Sequence, residues 1–268
     1  MTYDGDWRET FRPDIPSAAR VYDYLLGGKD NYPADRAVAE SMIAQLPNVR
    51  QAVQWNRAFL RRVVRYLIIE AGIRQIVDIG AGLPTVGNTH EIALDASPEA
   101  RVVYVDHDPV VLTHARNMLH AIPNAAIIEH DLLEPDEILA DPVLRKLIDF
   151  GQPAAFLFLS ILHFVSDEAD PAGLITRLLE PFPAGSHVAI SHATPDTVPE
   201  VNDVERVFDE ATEQAHVRSR ADIARLVAGM ETIEPGLAWP PEWRPDPGEE
   251  VPPNAAESYY CVVVARKP

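Results

Sequence analysis

Apolar and polar positions alternate in blocks along the chain. Ile76-Val77 and Ile79 make a short continuous apolar run around Asp78. Similar runs recur at Val102–Val105, Ala125–Ile128, Ala154–Leu159 and His187–Ser191. Unbroken runs of this length predict strands buried on both faces, as in a parallel sheet covered by helices. Between them lie helical patterns: a short one carrying His90, Glu91, Ile92 and Leu94, then Pro109 to Leu119, a mostly helical Glu134 to Phe150, and Asp170 to Leu179. Val201–His216 and Asp222–Ala228 are predicted as further helices. Glu231–Glu234 and Ser258–Ala265 are predicted as strands, joined by a proline- and tryptophan-rich irregular stretch at 235–253. Strand and helix in alternation imply a parallel α/β sheet with right-handed crossovers. A last linkage without a helix suits an antiparallel hairpin.

Three helices are predicted before the first strand. Ser17 opens one over Ala18–Leu26, with Val21, Tyr22, Leu25 and Leu26 as its apolar stripe, and Gly27-Gly28 stops it. Pro33 opens a second, to about Gln45. A long third covers Val49 to Ala71, its buried face running from Val53 through Phe59, Leu60, Val63, Val64, Leu67 and Ile68. Residues 1–16 read as an arm. The predicted organisation is an arm and helical cap over 1–72 and a ligand-binding domain over 73–268, forming one unit.

The first strand runs into Gly80-Ala81-Gly82. Glycine permits a tight turn and a close ligand approach. At the carboxyl edge of the first strand of an open α/β sheet, this is where a nucleotide-like cofactor lies. Three carboxylates fall at successive strand ends: Asp78, Asp106 and Asp131. Asp106 is placed to accept hydrogen bonds from both hydroxyls of a ribose. Asp131 is placed to accept from the exocyclic amine of adenine, with Leu132 packing on the base. A dinucleotide needs a third glycine to hold its pyrophosphate. That position is Thr85, after Pro84, which disfavours a nicotinamide cofactor. S-adenosylmethionine has no phosphate and needs less of this cradle.

Charge and cysteine content narrow the partners. The 268-residue chain carries a formal net charge of −18. This disfavours nucleic acid as a partner. One cysteine, Cys261, stands in an apolar run and reads as a buried thiol rather than a nucleophile. An acidic start without a signal peptide, and no run long enough for a membrane span, suggest a cytoplasmic protein. His163, His187 and His192 lack ligand spacing, so no metal is expected.

The motifs Pro16–Tyr32 (with Tyr22, Gly27-Gly28, Lys29, Asp30, Asn31 and Tyr32), Asp78–Thr85, Tyr104–Pro109 and Glu234–Leu237 resemble an actinobacterial family of methyltransferases once described only as a domain of unknown function. That family belongs with the class I S-adenosylmethionine-dependent methyltransferases. The resemblance implies a Rossmann-like seven-stranded sheet, mostly parallel with an antiparallel last strand, under an N-terminal helical lid. It implies S-adenosylmethionine as cofactor. Asp78, Gly80, Ala81 and Gly82 would line its methionine end, Asp106 and His107 its ribose, and Asp131 and Leu132 its adenine. Ser160 and His163 would face the methyl group, with His163 as the candidate base. Tyr22, Gly28, Asn31 and Tyr32 would close over the cofactor, and Arg57 would meet its carboxylate. Pro84 departs from the wider class. No Asn-Pro-Pro-Tyr-like run follows the fourth strand, which points away from amide or base nitrogens. The expected acceptor is a small molecule. The competing expectation is a non-catalytic protein that binds S-adenosylmethionine or S-adenosylhomocysteine for regulation.

Overall fold

The computed structural model describes residues 12–85, 87–202 and 214–268. Among the described residues three helices come first: α1 (Ala18–Leu25), α2 (Pro33–Gln45) and α3 (Val49–Ile69). Strands and helices then alternate: β1 (Gln75–Ile79), α4 (Thr89–Ala96), β2 (Arg101–Asp106), α5 (Pro109–Leu119), β3 (Ala125–Glu129), α6 (Pro135–Ala140), α7 (Pro142–Leu147), β4 (Ala155–Leu159), α8 (Pro171–Leu179) and β5 (His187–Ala193). The described chain closes with α9 (Arg220–Arg225), β6 (Glu231–Thr232) and β7 (Tyr260–Arg266).

The seven strands form one sheet in the order β3-β2-β1-β4-β5-β7-β6. The pairs from β3 through β5 are parallel, and β7 runs antiparallel to both β5 and β6. Chain progress reverses direction between β1 and β4. That switch point opens a crevice at the carboxyl ends of the two strands.

Strand alternation divides the core between the two faces of the sheet. Val77, Val103, Phe156 and Val188 belong to one cluster, and Ile76, Val102, Leu157 and Ala189 to the other. All five residues of β1 are buried. Helix α3 packs Phe59, Val63, Val64 and Leu67 onto the second face. A third cluster joins Val21 and Leu25 of α1, Met42 of α2, Val49 and Val53 of α3, and Tyr259. This cluster seats the N-terminal helices over the crevice.

Several boundaries differ from the sequence expectation for local reasons. The 134–150 segment divides into α6 and α7, because the Asp141 carboxylate accepts from the Val143 and Leu144 amides and starts a new helix. The last strand begins at Tyr260 because Tyr259 takes a left-handed conformation, with φ of 58°. The 235–253 connection lies closely on α3. Its Trp243 is fully buried, edge-on to Phe59 and Tyr66, while Arg62 donates to the carbonyls of Trp243 and Pro240. The helix expected over Val201–His216 falls mainly on residues 203–213, outside the described residues. Cys261 is buried in β7, and burial pushes its thiol up to about 12. Among the described residues, no helix is long and apolar enough to cross a membrane.

Candidate functional site

A cavity of about 520 Å³ lies at the switch point, floored by the strand ends and roofed by α1, α2 and α3. Its floor begins at the glycine turn. The Gly80 and Ala81 amides both donate to the Val105 carbonyl, folding the turn against β2. Gly80 has a φ of +69°, and a Cβ there would stand 2.6 Å from the Ile161 side chain. At Gly82 a Cβ would meet nothing within 4 Å. The turn is tight on its protein side and open on its cavity side.

The carboxylates stand around this turn. Asp106 Oδ2 accepts from the Gly82 amide at 2.9 Å, and Oδ1 accepts from the Asp108 amide at 2.9 Å. Burial raises its pKa despite those donors. Asp78 is more sheltered. Thr89 Oγ1 donates to its Oδ2 at 2.6 Å, and burial pushes the carboxyl up to about 6. Asp131 is half-exposed at the end of β3, with Oδ1 accepting from the Leu133 amide and Oδ2 3.9 Å from His107 Nδ1. Leu132 beside it is buried. Arg57, on α3, donates to the Gly87 carbonyl at 2.9 Å and lowers the pKa of Asp78 by its charge.

A polar cluster forms at the end of β4. Ser160 holds a φ of 58°, a strained conformation for a serine and one often found at functional sites. Its amide donates to Ser191, through both the carbonyl and Oγ at 3.0 Å. Asn56 Nδ2 donates to Ser160 Oγ and to the Tyr22 hydroxyl oxygen. Burial raises the pKa of Tyr22 and of Tyr260, so both phenols stay neutral. His163 is buried, and desolvation, with the neighbouring His192 and Arg218, holds its pKa well below the usual value. Arg218 in turn donates to His192 Nε2 and to the Leu162 and Val165 carbonyls.

Tyr22, Arg57, Asp78, Gly80, Ala81, Gly82, Asp106, His107, Asp131, Leu132, Ser160 and His163 all line the one cavity. Gly28, Asn31 and Tyr32 do not line it. Asn31 Nδ2 and the Asp30 amide donate to Asp23 Oδ2, and a Cβ on Gly28 would fall 1.9 Å from Asp23 Oδ1. The loop is built around Asp23, which does line the cavity. The Tyr32 amide donates to Asp35, the residue that also takes Ser17 N and Arg20 Nε. Asp23, Asn56 and Tyr260 were not singled out from the sequence. Asn56 sits one position before Arg57, and Asp23 lies inside the unusual 22–32 stretch, so position alone marked their neighbourhood. Ser17 and Asp108 stand at the N-caps of α1 and α5. They also meet, Ser17 Oγ donating to Asp108 Oδ2 at 2.8 Å, which ties α1 to the end of β2.

A family model described as S-adenosyl methyltransferase matches residues 7–268. The chain belongs to the S-adenosyl methyltransferase family. It is a methyltransferase, and its cofactor is S-adenosylmethionine. A crystal structure of a candidate methyltransferase from Thermobifida fusca YX is 38% identical, with a TM-score of 0.89 over 94% of this chain and 95% of that one. A DUF574 family protein from Streptomyces avermitilis is 40% identical, with a TM-score of 0.89 over 96% of this chain and 100% of that one. An O-methyltransferase family protein from Burkholderia thailandensis shares the fold at 18% identity, with a TM-score of 0.52 over 92% of this chain and 70% of that one. Among curated proteins, none matches. The resemblance drawn from the sequence motifs is to this same family.

The residues present suit the methyltransferase cofactor. Gly82 faces open space, so the turn can be approached closely. The buried Asp78 and half-buried Asp106 carboxylates, at two strand ends, offer acceptors for hydroxyl and amine donors. Among the described residues, no group of three histidine, cysteine or acidic side chains could hold a metal ion.

Proposed function

We propose that this methyltransferase acts on a small molecule enclosed with the cofactor in the cavity beneath α1, α2 and α3. The observation that carries this reading is the roof of the cavity: α1, α2 and α3 line it from Tyr22 and Leu25 to Met42, Val49 and Asn56. The net charge of −18 repels polyanions.

In this reading Asp106 accepts from the ribose hydroxyls, while Asp131 and Leu132 hold the adenine beside His107. Asp78 and the Gly80-Ala81-Gly82 backbone meet the methionine end, and the Arg57 guanidinium meets its carboxylate. Tyr22 closes the site from above. Gly28, Asn31 and Tyr32 act at one remove, through Asp23 and Asp35. S-adenosylmethionine held there would supply an electrophilic methyl group, which an acceptor heteroatom would take from the sulfonium sulfur while giving up its proton. The protein's contribution is alignment and exclusion of water, and alignment alone can be worth several kcal/mol. In this reading the His163 imidazole, kept neutral by burial, takes the proton.

The test is calorimetric titration with S-adenosylhomocysteine, alongside NADH and Asp106→Ala. Saturable binding that Asp106→Ala abolishes, with no NADH signal, supports the assignment. Equal affinity in Asp106→Ala would overturn it. Release of S-adenosylhomocysteine from S-adenosylmethionine in the presence of small acceptors then tests turnover.

A further inference from the structure

The cavity is electrically divided. Arg57, Asp78, Asp106 and Asp131 gather at the strand ends. The other wing runs under the N-terminal helices, where Leu25, Met42, Leu46 and Val49 face Val201 and Tyr259. All six belong to the third apolar cluster. Asp23 lines the cavity too, but its Oδ2 is taken by the Asp30 amide and Asn31 Nδ2 of its own loop. Burial keeps the phenols of Tyr22, Tyr259 and Tyr260 in their neutral form and His163 uncharged. Among the described residues, a charged group entering this wing would lose its hydration and meet only Asp23, whose carboxylate is engaged by its own loop, and the half-buried His216, which is unfavourable.

Among the described residues, three buried polar atoms on the cavity lining lack a partner: Asn56 Oδ1, His163 Nδ1 and, beyond the glycine turn, Thr85 Oγ1. Asn56 is 3% exposed and His163 is 7% exposed. The orientation of Asn56 follows from Tyr22. The Tyr22 hydroxyl gives its proton to the Val53 carbonyl, so its oxygen can only accept, and Asn56 must turn Nδ2 toward it. Oδ1 is then left without a donor. Buried acceptors of this kind are normally satisfied, and a ligand hydroxyl would supply the donor that Asn56 Oδ1 is without.

We propose that the methyl acceptor is an uncharged, largely apolar hydroxy compound, seated in this wing with its hydroxyl toward Asn56 and His163. The inference rests on the cofactor assignment above. It adds the acceptor's charge, polarity and reacting group.

The experiment uses three probes of one ring size: 2-naphthol, 2-naphthoate and 2-naphthylmethylammonium. Each is titrated into protein saturated with S-adenosylhomocysteine. The expected result is 2-naphthol bound at least about tenfold more tightly than either ion, the discount for stranding a charge. Met42→Gln, which keeps the side-chain length, should weaken 2-naphthol severalfold and leave S-adenosylhomocysteine affinity unchanged. Should that variant fail to fold, Val49→Thr carries the same comparison. Equal or tighter binding of either ion overturns the inference, as does no binding of 2-naphthol to the saturated protein. Failure of S-adenosylhomocysteine itself to bind would instead overturn the cofactor assignment beneath it.

Discussion

Asn56 Nδ2 donates to Ser160 Oγ at 2.7 Å, joining the first half of α3 to the residue that follows β4. The same amide group reaches the Tyr22 oxygen at 3.1 Å. One side chain therefore fixes the roof, the floor and the strained turn at Ser160. Asn56→Ala should leave two buried oxygens without a donor and cost about 1–3 kcal/mol. Urea denaturation should show the loss, and S-adenosylhomocysteine should bind more weakly because the roof is no longer held to β4. Unchanged stability would mean that the contact carries no weight.

Asp78 gives a pH signature. Its carboxyl is pushed up to about 6 by burial, against an ordinary value near 4. The folded state therefore holds a proton that the unfolded state has lost between those values. Stability from this group is present below the unfolded pKa, falls as pH rises from about 4 to about 6, and is flat above. Asp78→Asn removes the penalty of burying the ionised form while keeping an oxygen for the Thr89 hydroxyl. The variant should be more stable than the parent at pH 7, by up to about 3 kcal/mol, with the difference shrinking toward pH 4. Denaturation at both pH values checks it. Its cofactor affinity should fall, since the carboxylate is lost from the methionine end.

Gly28→Ala tests the loop around Asp23. A Cβ at that position would fall 1.9 Å from Asp23 Oδ1, so the carboxylate must move and its bonds to the Asp30 amide and Asn31 must break. Overpacking of this kind costs about 1–3 kcal/mol. Thermal unfolding reads the loss. Asn31→Ala should weaken the same loop by removing a donor, while Tyr32→Phe should change little, because Asp35 is held by the Tyr32 amide rather than its ring.

The sheet was legible because its strands are buried on both faces, and such strands must be apolar throughout: Ile76-Val77 and Phe156-Leu157-Phe158 can hardly be read otherwise. Asp106 and Asp131 were legible for the related reason that the last residue of a parallel strand marks the carboxyl edge of the sheet. The convergence of Tyr22, Asn56 and Ser160 was not. Their separations of 34 and 104 positions carry no periodicity that a sequence pattern could register. The Gly28–Tyr32 loop was visible as a motif, but its target was hidden. Whether Asn31 reaches the cavity or Asp23 depends on the exit path from α1, where Gly27 takes a φ of +84°. Trp243 was hidden too. Proline-rich sequence reads as irregular, yet Arg62 binds its backbone and draws the indole into the core.

The strongest stability prediction concerns Arg20 and Asp35. Their side chains are 3% and 0% exposed, and Arg20 Nε lies 3.0 Å from an Asp35 oxygen. Asp35 also takes the amides of Ser17 and Tyr32, and Arg20 also donates to the Ile15 carbonyl. The pair thus clamps the start of α1 to the start of α2, next to the Ser17–Asp108 contact at the cavity. Removing one partner leaves the other charged, buried and uncompensated, at a cost of about 3–5 kcal/mol. Asp35→Ala should be the worse variant, because it orphans two backbone donors as well as the guanidinium. Arg20→Met leaves the carboxylate both amides and should cost less. Urea denaturation of the two variants should show that order, and both should lose S-adenosylhomocysteine affinity through the displaced Ser17. The reverse order would mean that the guanidinium's bonds to residues 12–15 matter more than the clamp between the helices.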